Sequence, residues 1–220
     1  MRQIGVAQRR ARLARRHRLT PQARADDPVQ VARSLVALHG TDPSTVYLSA
    51  WARMTAGDVA SVERALYQDR QLVRLLGMRR TVFVVPLDIA PLVQAACARD
   101  ITARERRKLV AMLTQAEVAE DAETWLRDVE AAALRALHSR GEATAAELRT
   151  DDARLATELV LARGKSYEGR QTVCSRVLFL LAADGRVMRG RPLGSWTSSQ
   201  FRWSPRERWC PDGAADWAAE

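Results

Sequence analysis

The chain has 220 residues, 47% of them apolar and 28% charged, with a formal net charge of +9 and a pI of about 10.6. We expect one or two compact domains of a soluble globular protein. Because no apolar run reaches the length of a membrane span and the basic N-terminus lacks a hydrophobic signal segment, the composition excludes a membrane protein and favours a cytoplasmic, nucleoid-associated one. The positive charge makes nucleic acid the first candidate partner.

The first 24 residues contain eight arginines and no acidic residue. A weak apolar stripe through this stretch predicts a basic helix that lies on phosphates, with Arg9, Arg10 and Arg16 as DNA contacts. The alternative is a solvated helix face.

Three helices are predicted next. Asp26-Asp27-Pro28 is typical of a helix start, and apolar residues follow at helical spacing to Leu38, until Gly40 and Pro43 end the helix. Pro43 also begins the second helix. Thr55 is predicted to cap the third helix, which has Val59 and Leu66 on its apolar face.

A two-stranded hairpin is predicted after these helices, from the β-rich runs Leu72–Arg79 and Thr81–Pro86. Three helices followed by a hairpin are typical of a winged helix. We expect Arg79 and Arg80, in the hairpin turn, to contact phosphate, and the alternative is a structural salt bridge. A long helix from Leu87 to Gln115, interrupted near Asp100, is predicted to connect this module to a second one.

The same order of elements is predicted to recur. A helix over Asp121–Ser139 ends at Gly141, Thr144 and Glu147 form a capping box that opens a short helix, and a third helix spans Tyr167–Ala183. The remaining predicted elements are two strands, Arg186–Arg189 and Trp196–Trp203. DNA contacts of this module are predicted at the start of its third helix and on its wing, with a solvated helix start as the alternative; these residues are Tyr167, Arg170, Gln171 and Arg189.

These elements predict a mainly α protein with small β wings, built from tandem winged-helix (helix-turn-helix) domains. The predicted divisions are residues 1–115, with the basic N-terminal helix and the connecting helix, residues 116–204, and residues 205–220 as the start of a further domain. Three tryptophans, Trp203, Trp209 and Trp217, either pack back on the second module or belong to that further domain.

Three stretches together resemble the winged-helix DNA glycosylases of the AlkZ/AlkX type: RSLVALHGTDPSTVYLSAWARM, LVRLLGMRRTVFVVP and GSWTSSQFRWSPRERW. They occur in the order and at the spacing of that family. The resemblance implies an N-terminal part of a longer architecture, in which tandem winged helices precede a small β-barrel. It also implies double-stranded DNA as the partner and hydrolysis of the N-glycosidic bond of an alkylated purine. We expect a monofunctional enzyme that acts as a monomer.

The family carries Gln-x-Gln or Gln-x-Asp, followed closely by proline, after its first helix. The matching positions here hold His39 and Thr41, with Gly40 between them and Asp42-Pro43 after. The resemblance therefore marks His39 as a general base, Thr41 as a group that orients water and Asp42 as a source of negative field. The alternatives are that His39 caps a helix C-terminus and that Thr41 or Asp42 caps the next helix N-terminus.

No cofactor or metal is predicted. The three cysteines are widely spaced without a Cys-x-x-Cys pair, and no histidine lies at ligand spacing to another. Three functions remain open on the sequence: a DNA glycosylase for alkylated bases, a non-catalytic winged-helix DNA-binding protein or transcriptional regulator, and a resistance protein that removes bulky natural-product adducts from DNA.

Overall fold

The computed structural model describes residues 4–161, 164, 166 and 168–210. Their contacts form two compact units. Unit 1 holds the described residues up to 74 together with 81–90 and 194–199, and unit 2 holds 75–80, 91–193 and the described residues from 200 on. The structure is 58% helix and 17% strand with small antiparallel sheets, which confirms the predicted mainly α class. The predicted domain boundaries stay a prediction.

Unit 1 is built mainly from helices around a small sheet. Its helices and strands are α1 (Val6–Arg16), α2 (Pro28–Leu35), β1 (Leu38–His39), α3 (Pro43–Trp51), α4 (Val59–Glu63), the first three residues of β2 (Leu72–Leu76) and β3 (Val82–Pro86). The strand order is β1-β3-β2. Short 3-10 turns cover Pro21–Ala23 and Leu87–Ile89, and a π-helical turn, Arg64–Gln68, extends α4. Apolar side chains from α2, α3, α4 and the strands form its core.

The prediction that α2 continues to Leu38 is wrong. The helix starts as predicted, because Asp27 accepts a hydrogen bond from the Gln30 N–H at 2.9 Å. It ends at Leu35, where Val36 takes a φ of 70°. Leu38 then pairs with Val84 of β3 and is only 2% exposed. Pairing with a strand more than forty residues away therefore overrides the helical spacing of the local sequence.

Thr55 does not cap the third helix. Its N–H donates to the Ala25 carbonyl at 2.8 Å, in a short bridge between Ala25 and Met54. The cap is Asp58, whose carboxylate accepts from the Ser61 N–H at 2.7 Å. Both residue types are good caps, and the tertiary bridge decides between them.

Unit 2 is a helical bundle with two hairpins. Its elements are α5 (Ala90–Val93), α6 (Arg99–Gln115), α7 (Ala122–Arg140), α8 (Ala145–Asp151), β4 (Glu158–Leu161), β5 (Gly169–Thr172), α9 (Val173–Ala183), β6 (Val187–Pro192), β7 (Phe201–Pro205) and α10 (Arg206–Trp209). A π-helical turn, Gln94–Ala98, joins α5 to α6, and 3-10 turns cover Met78–Arg80 and Ala153–Ala156. The buried faces of α6, α7, α8 and α9 meet in one core.

Several helix ends of unit 2 follow the sequence prediction. Asp121 accepts from the Thr124 N–H at 3.0 Å, and Thr144 and Glu147 form the predicted capping box. Gly141 ends α7 with a φ of 78°. This left-handed backbone conformation strains any residue with a side chain, so glycine is favoured at position 141.

The predicted start of α9 is wrong. Residues 169–172 form β5, which pairs antiparallel with β4, and the helix begins only at Val173. Because the sequence Gly-Arg-Gln-Thr has no apolar period, nothing in it supports a helix over a strand. Tyr167 lies outside the described residues.

The last hairpin also differs from its prediction. β6 runs from Val187 to Pro192, and β7 covers Phe201–Pro205 instead of Trp196–Trp203. Trp196 lies in the loop before β7, which belongs to unit 1, and its ring is 5.1 Å from that of Tyr47. Trp203 and Trp209 are buried, at 9% and 7% exposure, which confirms for these two residues that they pack back. Trp217 lies outside the described residues.

Candidate active site and basic surfaces

The segment His39–Asp42 lies in unit 1, where β1 turns into α3. The Gly40 N–H donates to the Val82 carbonyl at 2.8 Å, so the main chain of the segment continues the pairing with β3. Gly40 is buried, whereas the side chains of His39, Thr41 and Asp42 are exposed. The fold thus brings the three predicted catalytic residues to the surface of a single turn. We call this turn the His39–Asp42 corner.

Thr41 is fixed by the sheet. Its Oγ1 accepts a hydrogen bond from the Val82 N–H at 3.2 Å. A hydroxyl that accepts one bond still has its own proton to donate, and so Thr41 is able to hold a water or a substrate oxygen. Thr45, which sequence reasoning missed, donates to the carbonyls of His39 and Asp42 at 3.0 and 2.7 Å. The corner is therefore held mainly through the main chain.

Asp42 is the N-cap of α3, as one of the sequence alternatives predicts. Its Oδ1 accepts from the Ser44 hydroxyl at 2.7 Å and from the Ser44 N–H at 2.9 Å. These two bonds, helped by the charge of His39, hold the pKa of Asp42 below its ordinary value of 3.8. Asp42 is consequently a carboxylate at neutral pH, with a charge that interacts with His39.

His39 does not cap a helix, because it lies in β1 and the preceding helix ends four residues earlier. Its ring stands edge-on to Phe83, with the ring centroids 6.0 Å apart and the planes at 81°. The side chain is exposed. An exposed imidazole can reach a water or a substrate atom from solvent, and imidazole is a common general base in enzymes.

A buried polar group lies behind the corner. Arg74 on β2 is 3% exposed, and its Nη1 lies 3.5 Å from the position of a Cβ built on Gly40. Its Nη2 is 3.4 Å from the hydroxyl of Tyr67. Tyr47, buried nearby on α3, has a pKa well above 10 because burial disfavours the phenolate. Sequence reasoning missed Arg74, because in the sequence it is only a single charged residue within an apolar strand.

The predicted DNA contacts of the N-terminus lie on α1. This helix buries none of its residues, and Arg9, Arg10 and Arg16 are exposed. Its last turn carries Arg15 and Arg16, and its first turn has no acidic residue. The helix presents a dense positive surface.

Arg79 and Arg80 lie in the turn Met78–Arg80 of unit 2. Both take positive φ values, 58° and 63°. Arg80 forms an ion pair with Glu105, at 3.3 Å between Nη2 and Oε2, and its guanidinium lies 5.4 Å from the centroid of the Phe179 ring. Arg80 thus makes the salt bridge named as the structural alternative, while its DNA contact stays a prediction.

The remaining predicted contacts lie on the two hairpins of unit 2. Arg170 and Gln171 are in β5, where Arg170 pairs with Glu158 at 3.2 Å. Arg189 in β6 stacks on Trp203 and Phe201, 5.0 and 5.8 Å from the ring centroids. These residues belong to unit 2, whereas the His39–Asp42 corner belongs to unit 1.

Within the described ranges, no three His, Cys, Asp or Glu side chains are grouped as they are around a metal ion. The helices of the same ranges are all too short or too polar to cross a membrane.

Comparison with known proteins gives two matches. The profile of the family described as DNA glycosylase AlkZ-like matches residues 32–220, which include the corner. The fold is similar to that of Streptomyces sahachiroi DNA glycosylase AlkZ, with a TM-score of 0.57 and 18% identity over 92% of this chain. The chain spans about half of that structure, 50% of its length. No curated protein sequence matches this chain.

Proposed function

The chain belongs to the AlkZ-like DNA glycosylase family, and we propose that it binds duplex DNA and hydrolyses the N-glycosidic bond of an alkylated purine. The observation that carries this proposal is the exposure of His39, Thr41 and Asp42 on one turn. The resemblance aligns His39 and Thr41 with the Gln-x-Gln or Gln-x-Asp motif of the family, and Asp42 follows that motif directly. The family match includes this turn.

The leaving group needs little activation by the protein, because the alkylated base is already positively charged. A purine alkylated at N7 is cationic, and it takes the electron pair of the bond between C1′ and N9 and leaves as a neutral base. Positive charge then develops on the sugar, and a water molecule must be held at C1′. Stabilisation of that charge and delivery of that water are therefore the tasks of the corner.

His39 is assigned to the water. As the oxygen of the water bonds to C1′, the imidazole accepts the proton that the water loses. General-base help of this kind contributes a factor of about 10² to 10⁴. Thr41 orients the same water, because the bond from the Val82 N–H fixes its Oγ1 in space.

Asp42 is assigned to the sugar cation. Ser44 binds its Oδ1, and among the described residues nothing donates to Oδ2. A carboxylate whose lowered pKa keeps it charged places a negative field where positive charge develops. The role as helix cap and the electrostatic role use different oxygens and coexist.

DNA binding is supported by the charge of the chain and by α1. A net charge of +9 and a helix with exposed arginines favour contacts to phosphates. The affinity for duplex DNA should fall by orders of magnitude between about 50 and 200 mM salt if roughly six or more phosphates are neutralised.

The test is release of base from two duplexes, one with N7-methylguanine and one with a bulkier N7 adduct. We expect His39→Ala to abolish release and to leave the DNA affinity unchanged. His39→Gln is the matched variant, because the amide, which is the family's residue at this position, can hold the water but cannot accept its proton. Its release should fall by a factor of about 10² to 10⁴ and stay measurable.

Release that survives His39→Ala contradicts the catalytic assignment. If the wild-type chain binds duplex DNA but releases no base from either duplex, the chain is a non-catalytic DNA-binding member of the family. Release from the bulky adduct alone would point to removal of natural-product adducts.

A further inference from the structure

We propose that Arg79, Arg80, Lys108 and Arg176 form a binding site for one phosphodiester of the DNA backbone, assembled around Glu105. The inference rests on the proposed function in one respect, that the ligand is DNA. It assigns this ligand to a place in unit 2 and gives that place no part in base release.

The carboxylate of Glu105 is the centre of the cluster. It lies on α6 and its side chain is 6% exposed. Lys108 Nζ is 2.9 Å from Oε1, Arg80 Nη2 is 3.3 Å from Oε2, and Arg176 Nη1 is 4.0 Å from Oε2. One buried anion therefore gathers cations from three separate parts of the chain.

The charges around Glu105 do not balance. Three cations face one carboxylate, and Arg79, which precedes Arg80 in the chain and is exposed, forms no ion pair with a described residue. Arg176, 21% exposed, also has a buried Nε without a hydrogen-bond partner among the described residues. Burial, reinforced by the charge of Arg80, lowers the pKa of Arg176. A second anion would relieve this excess of positive charge.

Two of the cations are also accessible to a ligand that approaches from solvent. Glu105 is inside, whereas the side chains of Arg80 and Lys108 are 47% and 63% exposed. The Arg80 guanidinium lies over the face of the Phe179 ring, and this contact restricts its orientation. A guanidinium with one edge on a carboxylate keeps further N–H donors for a phosphate oxygen.

The backbone of the turn supports the same conclusion. Arg79 and Arg80 are consecutive residues in the left-handed region, which costs energy for residues other than glycine. This conformation places two adjacent arginines at one tight turn. Strain of this kind persists where the surrounding structure over-determines it, and it is common at ligand sites.

The experiment measures the affinity of the full chain for an undamaged duplex of about 20 base pairs, from 50 to 200 mM salt. Arg79→Ala and Lys108→Ala should each weaken binding several-fold and reduce the slope of log K against log salt by about 1. The double variant should reduce it by about 2. An alkylated duplex should show the same reductions.

Arg127→Ala is the matched control. Arg127 is 63% exposed on α7 of the same unit and pairs with Glu123 at 3.9 Å, so the substitution removes the same charge outside the cluster. It should leave the slope unchanged. Melting temperatures of Arg79→Ala and Arg127→Ala should stay near that of the wild type, because the replaced side chains are exposed. Lys108→Ala loses one of the ion pairs of Glu105 and should melt at a slightly lower temperature, so binding is measured well below the onset of its unfolding.

If Arg79→Ala and Lys108→Ala behave like Arg127→Ala, the phosphate site is wrong and the cluster only links α6 to the turn. If the variants lose binding while base release by the wild type is absent, the phosphate site stands and the catalytic proposal fails. A wild-type chain that binds no duplex at low salt overturns both.

Discussion

The His39–Asp42 corner and the Glu105 cluster hold their polar groups in opposite ways. In the corner the side chains are exposed, and main-chain bonds such as Gly40 N–H to Val82 O fix the turn. In the cluster one buried carboxylate fixes the charged ends of three long, flexible side chains. A site of the first kind depends on the sheet beneath it, and one of the second kind depends on a single residue.

The largest expected effect on the free energy of unfolding comes from removing a buried side chain of β1, the strand that leads into the corner. Leu38→Ala deletes a side chain that is 2% exposed, and such a change costs about 2–5 kcal/mol of the free energy of unfolding. Urea unfolding measures it. Leu48→Ala, at a leucine that is 49% exposed, is the control and should change stability by less than about 0.5 kcal/mol. Equal losses in the two variants would mean that β1 does not anchor the corner.

Loss of the central charge of the cluster should come next. Glu105→Gln keeps the size of the side chain but removes the anion that binds Lys108 and Arg80. We expect the free energy of unfolding to fall by about 1.5–3 kcal/mol, the usual contribution of hydrogen bonds to charged groups. Glu123→Gln, 42% exposed on α7, should cost less than about 1 kcal/mol. A Glu105 variant as stable as the Glu123 variant would contradict the central role of the carboxylate.

A substitution at Val36, between α2 and β1, should increase the free energy of unfolding. Val36 has a φ of 70° and is 60% exposed, so that its β-branched side chain strains the backbone and buries little area. Val36→Gly should raise the free energy of unfolding by about 0.5–1 kcal/mol, since the relief of strain exceeds the entropy cost of glycine. The midpoint of urea unfolding checks this. Val59→Gly, at the first position of α4, should have the opposite sign.

The smallest expected effect is on the pH dependence of the melting temperature. It distinguishes the contribution of the charge of Asp42 from that of its capping hydrogen bond. Because the folded protein lowers the pKa of Asp42 below 3.8, the carboxylate stabilises the fold above that pH, and this contribution is lost as the pH falls through the folded-state pKa. Asp42→Asn keeps a capping oxygen without the charge. The melting temperatures of wild type and variant should differ most near pH 7 and converge below about pH 3.8. A difference that is independent of pH would assign the whole effect to geometry.

The sequence predicts best what depends on neighbouring residues. The caps at Asp27 and Thr144 are correct because each binds an N–H three residues further along the chain. The three residues of the corner were also predicted together, since they are consecutive but for Gly40. β1 was missed because its partner, Val84, lies far along the chain.

Long-range contacts also explain what was missed in the two sites. Nothing near Arg74 in the sequence indicates that it lies behind Gly40. In the sequence, Glu105 is a single acidic residue in a basic stretch. Its partners are distant in the chain: Arg80 lies in the turn Met78–Arg80, and Arg176 lies in α9. Charge patterns in a sequence identify which surfaces are basic, but not which carboxylate organises them.

The helix α1 has a consequence for how binding is measured. It has 11 residues and buries none of them, whereas an isolated helix shorter than about 12–15 residues is only marginally stable in water. Its amide hydrogens should therefore exchange with solvent almost as fast as those of a free peptide. When phosphates neutralise its arginines, repulsion along the helix decreases and exchange should slow. Part of the measured binding enthalpy is then the enthalpy of helix formation, and calorimetry on a chain that begins after Arg24 would separate the two.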